Sequence, residues 1–209
     1  MVTWFTGHIL EIFGAVTGIV YVILEIRRNI LLWPLGIVTS AVYIVVFGDN
    51  GFYAGMVLQG YYVIISVYGW YAWLRAQGSG LRSQGSELRA QGAVNRIGSG
   101  TAGMCLISAV ILWALLWYSL DRWTDSPVPL WDGLITSLSV VATWMLTRRY
   151  LEQWYVWIVA NSIAVIVYLT IGMYPTAVLF IVYFVMAIIG VRAWRRESTV
   201  NGEELKIKN

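Results

Sequence analysis

The sequence predicts an all-α integral membrane fold of seven transmembrane helices, and three observations predict it. Hydrophobic residues make up 59% of the 209 and charged residues only 12%, whereas soluble chains are about half apolar and about a quarter charged. Seven apolar stretches are long enough to cross about 30 Å of hydrocarbon, which needs about 20 residues each. When the loops are placed alternately on two sides, 13 of the 14 basic residues fall together. The mean hydropathy of +0.69 and the 12 tryptophans agree with a chain solvated mostly by lipid and anchored by interfacial rings.

Taken in order, the predicted spans are residues 8–26, 30–48, 52–74, 101–120, 130–147, 151–170 and 174–193. The first keeps its place in the protein, because the start lacks a basic leader and His8 and Glu11 interrupt the apolar run. Between the fifth and sixth stand only Thr147, Arg148, Arg149 and Tyr150, the spacing of a tight hairpin between antiparallel helices. Arg122, beside Asp121 and Asp125, is the one basic residue on the opposite side. The positive-inside rule then places the N-terminus outside and the C-terminus in the cytoplasm. This topology accounts for a pI near 9.0 without a nucleic-acid partner.

An internal repeat organises the spans. Shifted by 121 residues, Arg27–Trp73 aligns with Arg148–Trp194 without a gap and with 14 identities in 47 positions, where biased composition alone gives roughly one in ten. Among the pairs are Arg28/Arg149, Trp33/Trp154, Gly51/Gly172, Tyr62/Tyr183, Gly69/Gly190 and Trp73/Trp194. One span separates the copies, so both triplets start on the same side and the arrangement is 3+1+3 with parallel triple-helix repeats. The domain reading is a first repeat at 1–74, a cytoplasmic Gly/Ser/Gln-rich linker at 75–100, an inversion helix at 101–120, a second repeat at 121–194 and a cytoplasmic tail at 195–209. The linker carries LRAQGSG, LRSQGSE and LRAQGAV, too poor in apolar residues to bury and basic enough to stay near anionic headgroups. Such repeats build a transporter with its path where the triplets meet, or merely a symmetric bundle.

Several chemistries drop out. Cys105 alone makes no intramolecular disulfide, and His8 alone makes no zinc site. A Walker motif is absent, and clustered catalytic groups are absent too. The sequence therefore predicts no enzyme, no cofactor and no metal. Glu11, Glu25, Asp132 and Glu152 stand near span ends and Asp49, Asp121 and Asp125 in outer loops, so no midplane carboxylate couples transport to an ion gradient. Glu11 and Asp132 share one repeat position; they either complement a helix N-terminus or make an electronegative outer mouth.

The spans carry instead aromatic and neutral hydrogen-bonding groups. Trp154, Trp157 and Asn161 are spaced three and four, which puts them on one helical face. A tryptophan stripe alone is packing or anchoring as readily as a ligand wall, but an amide on the same face is costly in hydrocarbon unless it meets a polar cavity. Gln59 argues in the same way. Trp33, Thr39 and Ser40 are the repeat mates of Trp154, Ala160 and Asn161. With Tyr62, these residues form the candidate substrate site, a pocket between the triplets with indole and tyrosine walls, neutral polar contacts and no fixed charge. Such a pocket suits a small, flat, cationic heteroaromatic with hydroxyls and suits anions poorly.

At these residues the chain resembles a known family. NILLWPLGIVTSAVYIVVF (Asn29–Phe47), FYAGMVLQGYYVIISVYGWYAW (Phe52–Trp73) and LTRRYLEQWYVWIVANSIAV (Leu146–Val165) closely resemble the PnuC family of bacterial vitamin transporters. The most specific parts are the WxxWxxxN of Trp154, Trp157 and Asn161 and FYAGMVLQ ending in Gln59. The resemblance implies a SWEET-like fold in the bacterial inner membrane and a homotrimer with a pathway in each protomer. It implies nicotinamide riboside as substrate, moved by facilitated diffusion and trapped by a cytosolic kinase. Related members take thiamine or other vitamins, and the WPLG/TS pattern of the second span is shared with such a subgroup.

Overall fold

The computed structural model describes residues 2–49, 53–80, 94–124 and 126–207, with side chains described for 12–46, 48, 56–76, 94–124 and 126–196. Among them are seven helices, matching the seven predicted spans: α1 (Val2–Ile26), α2 (Leu32–Asp49), α3 (Tyr53–Gly80), α4 (Ser99–Trp123), α5 (Pro129–Thr147), α6 (Gln153–Thr170) and α7 (Tyr174–Ile207). The last four are long and apolar enough to cross a membrane, and Ile12–Ile26 and Leu32–Val46 are shorter apolar segments. Helix α3 continues six residues past the predicted end of its span and α7 well past Trp194 into the predicted tail. Linker residues 81–93, Asp125 and the side chains of His8 and Glu11 lie outside the described residues. The chain divides into two compact units, Met1–Gln91 and Gly92–Asn209.

In the first unit, α1 ends at a turn whose geometry follows from its hydrogen bonds. Arg28 takes a positive φ of 51°. This lets the Asn29 amide reach back to Leu24 O at 2.8 Å and the Arg28 amide to Glu25 O at 3.0 Å, satisfying carbonyls that the helix end leaves open. A left-handed residue without glycine costs about 1–2 kcal/mol; two arginines at a helix C-terminus partly offset that through the macrodipole. The Asn29 side chain then accepts from the Leu31 amide at 2.9 Å and starts α2, where Pro34 falls in the first turn and needs no amide partner. Helix α2 packs along α3 and α1 packs on α2.

The second unit repeats the turn. Arg149 has φ 54°, with the Tyr150 amide bonded to Met145 O at 3.1 Å and the Arg149 amide to Leu146 O at 2.9 Å. Gly172 makes the same closure after α6 at φ +77°, which glycine adopts without strain. Here, however, the turn is strapped by the end of the linker. Asn95 donates its amide to Arg149 O at 2.9 Å and accepts from the Leu151 amide at 3.0 Å, while its side chain donates to Arg148 O at 2.9 Å. Glu152 accepts from the Ile97 amide at 3.0 Å and faces Arg96 at 3.6 Å. The end of the predicted linker, Asn95 to Ile97, is therefore tied to this turn, with Asn95 and Arg96 still exposed.

Helix α4 joins α5 through the Trp113 indole, which donates to Leu130 O at 3.0 Å, and through Gly133, whose missing side chain lets the Trp117 backbone approach. Ser126 donates to the Asp132 carboxylate and accepts from the Val128 amide at 3.3 Å, just ahead of Pro129 at the start of α5. Asp132 thus sits in the first turn, where a carboxylate complements the helix dipole. Outside these seams the helices present Met104, Leu106, Ile107 and Leu115 of α4 and Ile166, Val178 and Val185 of α6 and α7 to the surroundings, as a lipid-facing surface requires.

Candidate functional site

Three of the 14 repeat identities, Trp33/Trp154, Gly69/Gly190 and Trp73/Trp194, share a packing role. In the first unit, Trp33 is wholly buried and meets Trp73 edge to face, ring centroids 5.4 Å apart at 88°. In the second, Trp154 meets Trp194 at 5.6 Å and 86°. Each indole lies flat over a glycine: a Cβ at Gly190 would come within 2.6 Å of three ring atoms of Trp154, and one at Gly69 would collide equally with Trp33. Edge-to-face geometry follows from the ring quadrupole, and the missing glycine side chain makes room for so large a ring. Trp33 and Trp154, expected to wall a pocket, are each buried against a tryptophan and a glycine of their own unit.

Of the remaining predicted residues, Ser40 and Asn161 fall on the helix faces of Trp33 and Trp154, whereas Thr39 is turned about 120° away from Trp33. On α6, Trp154 and Asn161 are about 20° apart around the axis and Trp157 about 60° to one side, by the helical step. Asn161 is buried, only 4% exposed. The Trp157 ring is half-buried, with its Nε1 buried and unpaired. In the first unit, the contact of Trp33 with the Gly69 position sets a register in which Ser40 falls level with Tyr62. Ser40 is buried; Thr39, Gln59 and Tyr62 are half-buried. Gln59, Tyr62, Ser66, Gly69 and Trp73 share one face of α3 by their spacing. Each unit thus carries an aromatic plug at one end of a seam and neutral polar groups further along it.

Sequence reasoning missed other buried polar groups. Gln153, the first residue of α6, has no exposed surface. Ser137, Ser139, Thr143 and Thr147 are buried on α5 with their hydroxyls bonded back to carbonyls of their own helix. Glu25 is only 2% exposed although it stands near a helix end. The signal for Gln153 was its repeat mate Leu32, an apolar residue at an equivalent position. Among the described residues there is no cluster that could hold a metal ion. The described carboxylates, Glu25, Asp121, Asp132 and Glu152, all stand at or near helix ends. What such an arrangement offers chemically is aromatic surface and neutral donors and acceptors, which bind and orient without forming or breaking bonds.

The known proteins that the chain matches are transporters. The family pattern described as nicotinamide mononucleotide transporter matches residues 8–196. The nicotinamide riboside transporter PnuC of Escherichia coli K12 is 25% identical over 209 residues, spanning 92% of this chain and 87% of that protein. The riboflavin/roseoflavin transporter RibM of Streptomyces davaonensis is 24% identical over 204 residues, spanning 93% and 91%. A crystal structure of the vitamin B3 transporter PnuC shares the fold with a TM-score of 0.68 at 20% identity, covering 92% of this chain and 83% of that one. With its apolar helices and a family pattern that reaches from within α1 to the Arg192–Arg196 stretch of α7, this chain is a membrane protein of the PnuC, or nicotinamide mononucleotide transporter, family.

Proposed function

We propose that the protein carries nicotinamide riboside across the bacterial inner membrane by facilitated diffusion, with a cytosolic kinase trapping the product as its phosphate. The observation that carries this reading is the neutral Trp157 and Asn161 face of α6 in a chain of this family. A flat pyridinium fits an indole face through cation–π attraction, and an amide orients hydroxyls or a carboxamide. Trp33, Thr39, Ser40, Gln59, Tyr62, Trp154, Trp157 and Asn161 are the proposed substrate-binding residues. None of them carries a charge, which favours the riboside over the mononucleotide, because a phosphate held without a cationic partner loses its hydration uncompensated. A second reading, a flavin or another vitamin such as thiamine, is favoured by the near-equal identity to the riboflavin/roseoflavin transporter.

Uptake into proteoliposomes decides among them. Labelled nicotinamide riboside should equilibrate with no ATP present and with proton and sodium gradients collapsed, and nicotinamide mononucleotide, riboflavin and thiamine should enter far more slowly. Gradient-driven accumulation in kinase-free vesicles would reject facilitated diffusion. Faster entry of riboflavin or thiamine would reassign the substrate, and entry of none would leave a scaffold.

The same reading includes a SWEET-like 3+1+3 arrangement of parallel triple-helix repeats, a homotrimer in membrane lipid, an outside N-terminus and a cytoplasmic C-terminus. Recurrence of the arginine turn and of the Trp–Gly–Trp seam at an offset of 121 supports the repeats, and the placement of 13 basic residues supports the orientation. In a Cys105→Ser background, a cysteine at Ser83 should label only from the cytoplasmic side and one at Asp125 only from outside. Labelling of Ser83 from outside would overturn the topology. Cross-linking in native membranes that yields no species larger than a protomer would count against the trimer.

A further inference from the structure

The second unit buries an amide that nothing in the fold accounts for. Gln153 is fully enclosed, and neither its Oε1 nor its Nε2 has a hydrogen-bond partner. Native proteins rarely leave such a group empty, since a buried amide without partners forfeits its hydration outright. One turn on, the Trp157 Nε1 is likewise buried and unpaired, and a further turn on stands Asn161. At steps of four, Gln153, Trp157 and Asn161 run up a face about 80° wide over about 12 Å of helix.

The neighbouring helix continues the pattern. Counting outward from the turn, Thr147, Thr143 and Ser139 of α5 fall level with Gln153, Trp157 and Asn161. Their hydroxyl protons go to carbonyls of their own helix, so toward α6 these groups can only accept. The first repeat has no such column. Its matching residues are Gly18, Val22 and Ile26 on α1 and Leu32, Gly36 and Ser40 on α2, and Leu32 is as fully buried as Gln153. A fold that accommodates leucine at this position in one copy has no packing need for glutamine in the other.

We propose that Gln153 is a specificity-determining residue that reads the flat donor–acceptor edge of the substrate, the carboxamide when the substrate is nicotinamide riboside. This rests on the reading of the α6 face as the substrate site and extends it one end further, toward the Arg148–Arg149 turn. A glutamine amide sets one N–H donor and one carbonyl acceptor side by side in a plane, the complement of a primary carboxamide or of a ring imide, as in glutamine pairing with adenine. Trp157 lies between Gln153 and Asn161 along the face, so a heteroaromatic against its indole would have an amide above and below it.

The test is calorimetric titration of purified wild type, Gln153→Leu, Gln153→Met and Asn161→Leu with nicotinamide riboside and with the pyridinium riboside that lacks the carboxamide. Thermal unfolding without ligand accompanies it. Both Gln153 variants should bind nicotinamide riboside about tenfold more weakly, the loss of roughly one hydrogen bond to a buried group. They should bind the carboxamide-free analogue as wild type does, and should unfold at the wild-type temperature or above, because an unpaired buried amide has been removed. Unchanged affinity for nicotinamide riboside in both, with Asn161→Leu impaired, would overturn the proposal and leave the site reading standing. No loss in any of the three variants would remove the site reading itself. Collapse of folding in both Gln153 variants would make the residue structural and also overturn the proposal.

Discussion

Substitution of Gly190 by valine is expected to abolish stable folding of the second unit. The first new carbon alone would lie 2.6 Å from three atoms of the Trp154 ring, and that ring cannot swing away, because Trp194 meets it at 86° and it is 1% exposed. Overpacking of a filled interior costs about 1–3 kcal/mol per inserted group and more when backbones must separate. Trp154→Ala makes the opposite lesion and should cost about 3–5 kcal/mol by leaving a cavity. Combining Trp154→Leu with Gly190→Ala should recover part of the loss, a coupling that independent sites do not show. Unfolding temperature in detergent, with monodispersity by gel filtration, reads all of these. A wild-type unfolding temperature for Gly190→Val would mean that the ring and the glycine do not meet. Gly69 and Trp33 should behave alike in the first unit.

Asn161→Leu and Trp157→Ala should do the reverse, losing affinity while the fold stays intact. Asn161 is 4% exposed, and leucine at this position keeps the bulk while removing the amide. Loss of one or two bonds to substrate costs on the order of 1–3 kcal/mol, about tenfold to a hundredfold in Kd. Trp157→Ala should weaken a cationic ligand more than a neutral analogue of the same shape, since cation–π attraction needs the charge. Titration of both ligands gives the answer. Equal losses would make Trp157 a wall, and unchanged affinity in both variants would take this face out of the site. Trp154→Ala, by contrast, should register first in stability, which separates the two indoles of one motif.

The sequence by itself determined a seven-helix membrane fold, because burial in lipid demands about 20 apolar residues per crossing and those runs are visible one after another between charges. It also displayed an internal similarity, since 14 identities at one offset need no coordinates to be counted. What it left open was the purpose of each identity. Trp33 and Trp154 recur with Gly69 and Gly190 because a ring on one helix fills a space on another, and that pairing reaches across about 36 residues of chain that periodicity along one helix cannot see. Trp154 and Trp157 share a face and both bury an unpaired Nε1, yet among the described residues only Trp154 packs against a second indole, which the packing of neighbouring helices alone decides. The strap of Asn95 and Arg96 on the Arg148–Glu152 turn was likewise invisible, for its main-chain bonds carry almost no signature in residue type. Helix placement is a local property of composition, whereas the role of a side chain depends on what the rest of the chain brings against it.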